Sequence, residues 1–244
     1  MKVLDLFAGI GGFTIGLERA GFETAAFCEI DPYAQKVLRK NWPGVPIYDD
    51  VRSITAERLA SDGIGVDVIT GGFPCQDISV AGHQRGIEGE RSGLWSECAR
   101  LIGELQPRYA IFENVTNLLN GERGAWFKRV LWDISQIGYD AEWHCIPASE
   151  LGAHHHRDRI WIVAYPKGIG LQVGNEQHRI SQKAIKHGIA LSGCDLGKRY
   201  FTDEPGMGRV ANGIPNRSHR LKCLGNAVVP PMPELIGRAI NGHR

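Results

Sequence analysis

The chain has 244 residues, 43% hydrophobic and 23% charged, which is enough apolar mass for one large domain with a sizeable core. No apolar run approaches the ~18 residues of a membrane helix, the opening MKVLDLFAGIGGF lacks the layout of a signal peptide, and the 31 glycines show no collagen-like period. Six scattered cysteines without a close CxxC pair argue against a disulfide scaffold or a structural zinc site and suit a reducing cytoplasm.

Residues 2–7 form a short apolar strand that breaks at Gly9-Ile10-Gly11-Gly12. A helical pattern with Phe13, Leu17 and Ala20 follows, and Gly21 stops it. Residues 24–28 read as the second strand. Asp31-Pro32 opens a helix to about Asn41, with Asp as N-cap and Pro in the first turn. Short strands are expected at 45–48 and 66–70. Residues 75–93, with four glycines among charges, read as a long mobile loop. A helix over 94–105, a strand over 109–112 and a helix over 126–137 come next. Residues 141–146 and 159–164 then read as an antiparallel pair. Strands alternating with helices predict a mostly parallel sheet covered on both faces. After residue 164 the period is lost, and 165–220 reads as a small irregular subdomain. A tight turn and a short C-terminal helix close the chain.

Charge is divided unevenly. Residues 1–164 carry 16 Lys/Arg against 22 Asp/Glu, whereas 165–222 carry 10 against 4. An acidic body with a basic segment points either to a polyanion docking on one part or to an ordinary solvated basic face.

Three places carry chemistry. The turn Asp5-Leu6-Phe7-Ala8-Gly9-Ile10-Gly11-Gly12 lets a ligand approach the backbone at a helix N-terminus. Position 14 is Thr, so the dinucleotide fingerprint is incomplete. With Asp5 in the turn and Glu29 ending the second strand, the set suits a nucleoside with a cationic or zwitterionic tail, the Glu29 carboxylate accepting from ribose hydroxyls. Cys75, on a turn stiffened by Pro74 beyond a strand end, is a candidate nucleophile, whereas Cys28, Cys98 and Cys145 read as buried and inert. Glu113, ending the next strand, is a candidate acid beside it. The adjacent His154, His155 and His156 cannot all face one ion on a strand, and a loop near phosphates is the better reading.

FAGIGG, FCEIDP, GGFPCQDIS, FENV, Arg157-Asp158-Arg159 and LGNAVVP, in that order, resemble the cytosine-C5 DNA methyltransferases, in particular compact phage-type members. The resemblance implies a class I S-adenosylmethionine-dependent, Rossmann-like α/β fold with a mixed sheet. It implies a catalytic and cofactor-binding domain over 1–164, a target-recognition region over 165–220, and a segment 221–244 that returns to the catalytic domain beside the first strand. It implies methyl transfer from S-adenosyl-L-methionine to C5 of a flipped-out cytosine in double-stranded DNA, a monomer, a cognate restriction endonuclease as partner and no metal. The alternative it leaves open is a tRNA cytosine-C5 methyltransferase. By resemblance Cys75 attacks C6, Glu113 protonates N3, and Arg157 and Arg159 steady the base. Phe7, Ala8, Gly9, Gly11, Glu29, Ile30, Asp50, Val51, Pro74, Leu94 and Asn226 then hold the cofactor.

Overall fold

The computed structural model describes residues 1–74, 93–153, 157–168, 172–173, 176–177 and 217–242. Cys75, the three histidines and most of 165–220 lie outside the described residues.

A seven-stranded sheet runs in the order β3-β2-β1-β4-β5-β7-β6. Its strands are β1 (Lys2–Leu6), β2 (Glu23–Cys28), β3 (Ile47–Tyr48), β4 (Val68–Gly71), β5 (Tyr109–Val115), β6 (Tyr139–Pro147) and β7 (Asp158–Pro166). Strands β1 to β5 pair in parallel, and β7 lies antiparallel to both β5 and β6. The chain order reverses between β1 and β4. Ligands of open parallel sheets bind at such a point, beyond the carboxyl ends of the strands.

Helices α1 (Gly12–Arg19), α2 (Pro32–Asn41), α3 (Ala56–Ser61), α4 (Leu94–Leu105) and α5 (Ala125–Gln136) flank the sheet. Near the C-terminus follow α6 (Arg217–Asn226) and α7 (Pro231–Asn241). The alternation along β1 sorts the core. Leu4 and Leu6 pack with Val51, Leu59, Leu101 and Val130 on one face. Val3 packs with Phe13, Leu17, Met232 and Ile236 on the other. The second face needs small residues, because a Cβ on Gly16 would lie 2.3 Å from the Pro230 carbonyl oxygen. The C-terminal helix therefore returns against α1 and shares with it the core over Val3 of the first strand.

The Asp31 cap of α2, with its carboxylate accepting from the Tyr33 and Ala34 amides, and the span of α4 agree with the sequence reading. Two details differ. Cys145 is exposed rather than buried, because it lies on β6 at the edge of the sheet. The expected boundary at residue 220 falls inside α6, whose polar composition carries little helical period.

Candidate active site

At the end of β1 the backbone turns through positive φ at Phe7 (52°), Gly9 (55°) and Gly11 (88°). The two glycines differ in what they face. A Cβ on Gly11 would strike the Trp42 ring at 2.6 Å, so its lack of a side chain serves packing. At Gly9 nothing lies within 4 Å, which leaves the backbone open to a ligand. The Glu29 carboxylate accepts from the Gly9 and Asp31 amides, each at 2.7 Å, bridging this turn to the start of α2. A carboxylate has about four lone-pair positions, so acceptor capacity remains for hydroxyls. Ile30, next in the chain, is 70% exposed, an apolar side chain without cover. An open backbone turn, a carboxylate and an uncovered apolar side chain fit the ribose and adenine of an adenosyl cofactor.

The other expected cofactor residues are less uniform. Ala8 is buried against Phe27 and Leu38. The Asp50 carboxylate caps the following turn and pairs with Arg52 at 2.6 Å. Val51 points into the core, so only its backbone is free to face a ligand. Pro74 and Leu94 are partly buried on either side of 75–92. Asn226 is exposed at the end of α6, which the Lys222–Asp31 ion pair and the Tyr33–His219 stack hold beside the start of α2.

Glu113 and Arg159 sit at the carboxyl edge of β5 and the facing start of β7. Arg159 Nε donates to Glu113 Oε1 at 2.7 Å. Burial pushes the Glu113 carboxyl up, and the Arg159 and Arg157 guanidinium groups oppose that shift. Burial, and then Arg159, hold the Arg157 guanidinium below its usual range. Arg157 adopts φ 26°, which L-residues rarely take, and its buried Nε has no hydrogen-bond partner among the described residues. These three charged residues line a pocket whose apolar walls include Ile146, Leu151, Trp161, Val229 and Met232.

The residues before Cys75 are held on the face of β5 that Phe112 and Asn114 share. The Asn114 amide donates to the Phe73 carbonyl at 3.2 Å. The Phe73 ring packs on Trp95 and Phe112, with centroids 5.1 and 6.2 Å away. Trp95 follows the far end of 75–92, so one aromatic cluster anchors both flanks of that segment. A Cβ on Gly72 would lie 3.2 Å from Glu113 Oε2, so glycine there keeps room beside the carboxyl. Sequence reasoning did not single out Asn114, Trp95 or Gly72. The aromatic spacing across a loop was a signal for Trp95, whereas the contacts of Asn114 and Gly72 appear only in three dimensions. Among the described residues no His/Cys/Asp/Glu group could hold a metal ion. No described helix is long and apolar enough to cross a membrane.

The family model for C-5 cytosine-specific DNA methylase matches residues 1–193. The type II methyltransferase M2.BsuMI of Bacillus subtilis is 39% identical over 67% of this chain and 42% of its own length. M.HgiBI of Herpetosiphon aurantiacus is 36% identical over 70% of this chain and 38% of its own length. The chain thus spans about two-fifths of those two relatives. It is also 31% identical to M.AquIA of Picosynechococcus, over 91% of this chain and 93% of that one. A crystal structure of a DNA modification methyltransferase encoded within a prophage in E. coli matches with TM-score 0.61 and 29% identity, over 72% of this chain and 49% of that one. A DNMT2 structure from Spodoptera frugiperda, 15% identical, shares the fold with TM-score 0.66 over 98% of this chain and 99% of that one. The chain belongs to the C-5 cytosine-specific DNA methylases.

Proposed function

We propose that this chain transfers a methyl group from S-adenosyl-L-methionine to C5 of a flipped-out cytosine in duplex DNA. The observation that carries this reading is the Glu113–Arg159 pair at a pocket beside the Phe73-Pro74 approach to Cys75. C5 of cytosine is a weak nucleophile. Addition of the Cys75 thiolate at C6 turns C5 into an enamine-like carbon. The Glu113 carboxyl, whose proton affinity burial raises, makes that addition easier by holding a proton at N3. Arg159 and Arg157 hold the base and the adduct. The cofactor, when bound, supplies an electrophilic methyl group on a sulfonium. Loss of the C5 proton after transfer expels Cys75 and restores the aromatic ring.

Glu29 at the mouth of the Gly9 turn is the proposed acceptor for the ribose hydroxyls, with Ile30 against the adenine. Phe7, Ala8, Gly11, Asp50, Val51, Pro74, Leu94 and Asn226 are proposed to complete that site. Because the target base is stacked in a duplex, it must leave the stack at a cost of about a few kcal/mol. The basic stretch 165–222 is the part proposed to face the phosphates. Bisulfite sequencing of DNA from cells expressing the full chain tests the reading. Protected cytosines at a recurring sequence support it. Methylation of tRNA with none in duplex DNA would overturn it.

A further inference from the structure

Asp5 is a fully buried carboxylate to which the proposed chemistry gives no task. It does not face the cleft. Thr14 Oγ1 donates to its Oδ2 at 2.9 Å, and Thr70 Oγ1 donates to its Oδ1 at 2.8 Å. Both threonines are themselves fully buried. The charged neighbour acting most strongly on it among the described residues is Glu29, of like sign. A core shaped for stability alone would place an apolar residue here, in the row of Val3 and Val68.

What the carboxylate joins is informative. Thr14 lies in the first turn of α1, immediately after the open turn at Gly9. Thr70 is the register partner of Asp5 on β4, one residue before Gly71-Gly72-Phe73-Pro74 leads to Cys75. Thr70 pairs in turn with Ile111, so this row lies one pleat below Gly72 and Glu113. We propose that Asp5 is a positioning residue, its carboxylate clipping the cofactor turn to the strand that presents the nucleophile. The proposal rests on the methyltransferase reading above. A carboxylate suits the task better than an amide, because both its oxygens accept and neither donating hydroxyl is left without an acceptor. The clip sets the distance between the two halves of the site without touching either substrate.

The test uses the full chain and three variants. Asp5→Asn keeps shape and burial but removes the charge. At pH 8 it is expected to melt no lower than the wild type, since the buried charge opposes folding. It is also expected to bind S-adenosylmethionine about tenfold more weakly in calorimetry, which a residue serving stability alone would not do. The two arms should separate kinetically. Thr14→Val should raise KM for the cofactor about fivefold with kcat nearly kept, whereas Thr70→Val should lower kcat about fivefold with KM nearly kept. These two variants carry the test if Asp5→Asn fails to fold. Variants that bind and methylate within about twofold of wild type, or that lose activity only in proportion to their folded fraction, would reduce Asp5 to a core residue and overturn the proposal. A wild-type chain that neither binds the cofactor nor methylates DNA would remove the underlying reading as well. An active wild type with indifferent variants removes the clip alone.

Discussion

Arg159 Nε and Glu113 Oε1 lie 2.7 Å apart, so the cation expected to hold the base is also the group that draws the proton off the acid. Burial works the other way and dominates, raising the Glu113 carboxyl above the usual range. The second oxygen, Oε2, faces the space left by Gly72. The pair is thus arranged so that one oxygen is committed to the guanidinium while the other is left beside Gly72.

Methylation should therefore fall as pH rises past the raised Glu113 value, because the protonated acid is the active form. Glu113→Gln should slow turnover about 10²–10⁴-fold while duplex binding is kept, since an amide cannot pass a proton to N3. Arg159→Ala removes an influence that lowers the acid, so the alkaline decline should move to higher pH. A pH–rate profile that does not move between wild type and Arg159→Ala would separate Glu113 from the titration.

Asp5 gives a stability prediction with a definite sign. Its carboxyl is pushed up to about 6 by burial, against an ordinary value of 3.8. The native state then binds the proton more tightly than the unfolded chain. The contribution is fully present below the unfolded value and is lost as pH rises through about 6. Asp5→Asn should remove that loss, narrowing the stability gap between pH 5 and pH 8 by about 1–1.5 kcal/mol, because part of the linkage is already spent between the unfolded value and pH 5. Denaturant unfolding of both proteins at the two pH values measures it. An equal gap in wild type and variant would contradict the buried ionisation.

The C-terminal return offers a packing test. A Cβ on Gly12 would sit 2.4 Å from the Val228 carbonyl oxygen and one on Gly16 2.3 Å from that of Pro230. Both obstacles are backbone and cannot swing aside. Gly16→Ala should cost about 1–3 kcal/mol by forcing α1 and α7 apart. Gly9→Ala faces open space, so its effect should come from the strained φ and fall on cofactor binding. Thermal melts with and without S-adenosylmethionine distinguish the two. A Gly16→Ala protein as stable as wild type would show that the segment 227–230 can shift.

Much of this was readable in the chain. The KVLDLF strand, the Asp31-Pro32 cap and the 94–105 helix are local signals, and each element forms where its residues dictate. Motif order singles out Cys75, Glu113 and Arg159 as candidates; Cys75 lies outside the described residues, and the structure brings Glu113 and Arg159 together. The unread part is non-local. Nothing in the sequence tells that Gly11 makes way for the Trp42 ring, or that the Asp5 carboxylate meets Thr14 and Thr70. The exposure of Cys145 depends on β6 being an edge strand, which sheet order decides and local pattern does not.

Glu29 sits where two tasks meet, since it holds the Gly9 and Asp31 amides and is the proposed ribose acceptor. Glu29→Ala should weaken S-adenosylmethionine binding by about 1–3 kcal/mol, the range for hydrogen bonds to a charged group. Calorimetry showing unchanged affinity would remove Glu29 from the cofactor site.

The basic stretch 165–222 should make DNA affinity fall steeply with salt, as phosphate contacts release counterions. Replacing Lys198, Arg199, Arg209 and Arg217 together should flatten the slope of log affinity against log salt. An identical slope would show that this stretch faces away from the duplex.

The covalent step can be tested directly at Cys75. If its sulfur adds to C6, turnover passes through an enzyme–base adduct whose release needs the C5 proton to be removed. Fluorine at C5 still permits methyl delivery, but it cannot leave as a cation. Elimination then stops, and the carbon–sulfur bond persists. Duplex carrying 5-fluorocytosine at the target, with S-adenosylmethionine present, should yield a complex that survives denaturing electrophoresis. Cys75→Ala should form none while still binding duplex and cofactor, because the change removes one small side chain on a turn. Glu113→Gln should trap more slowly, since the proton at N3 is missing when the sulfur adds. Asn114→Ala frees the Phe73 carbonyl two residues before the nucleophile and should also slow trapping, with cofactor affinity kept. A buried structural cysteine predicts no trapped species in the wild type and a stability loss in the variant. A trapped band of equal strength with Cys75→Ala would place the nucleophile elsewhere.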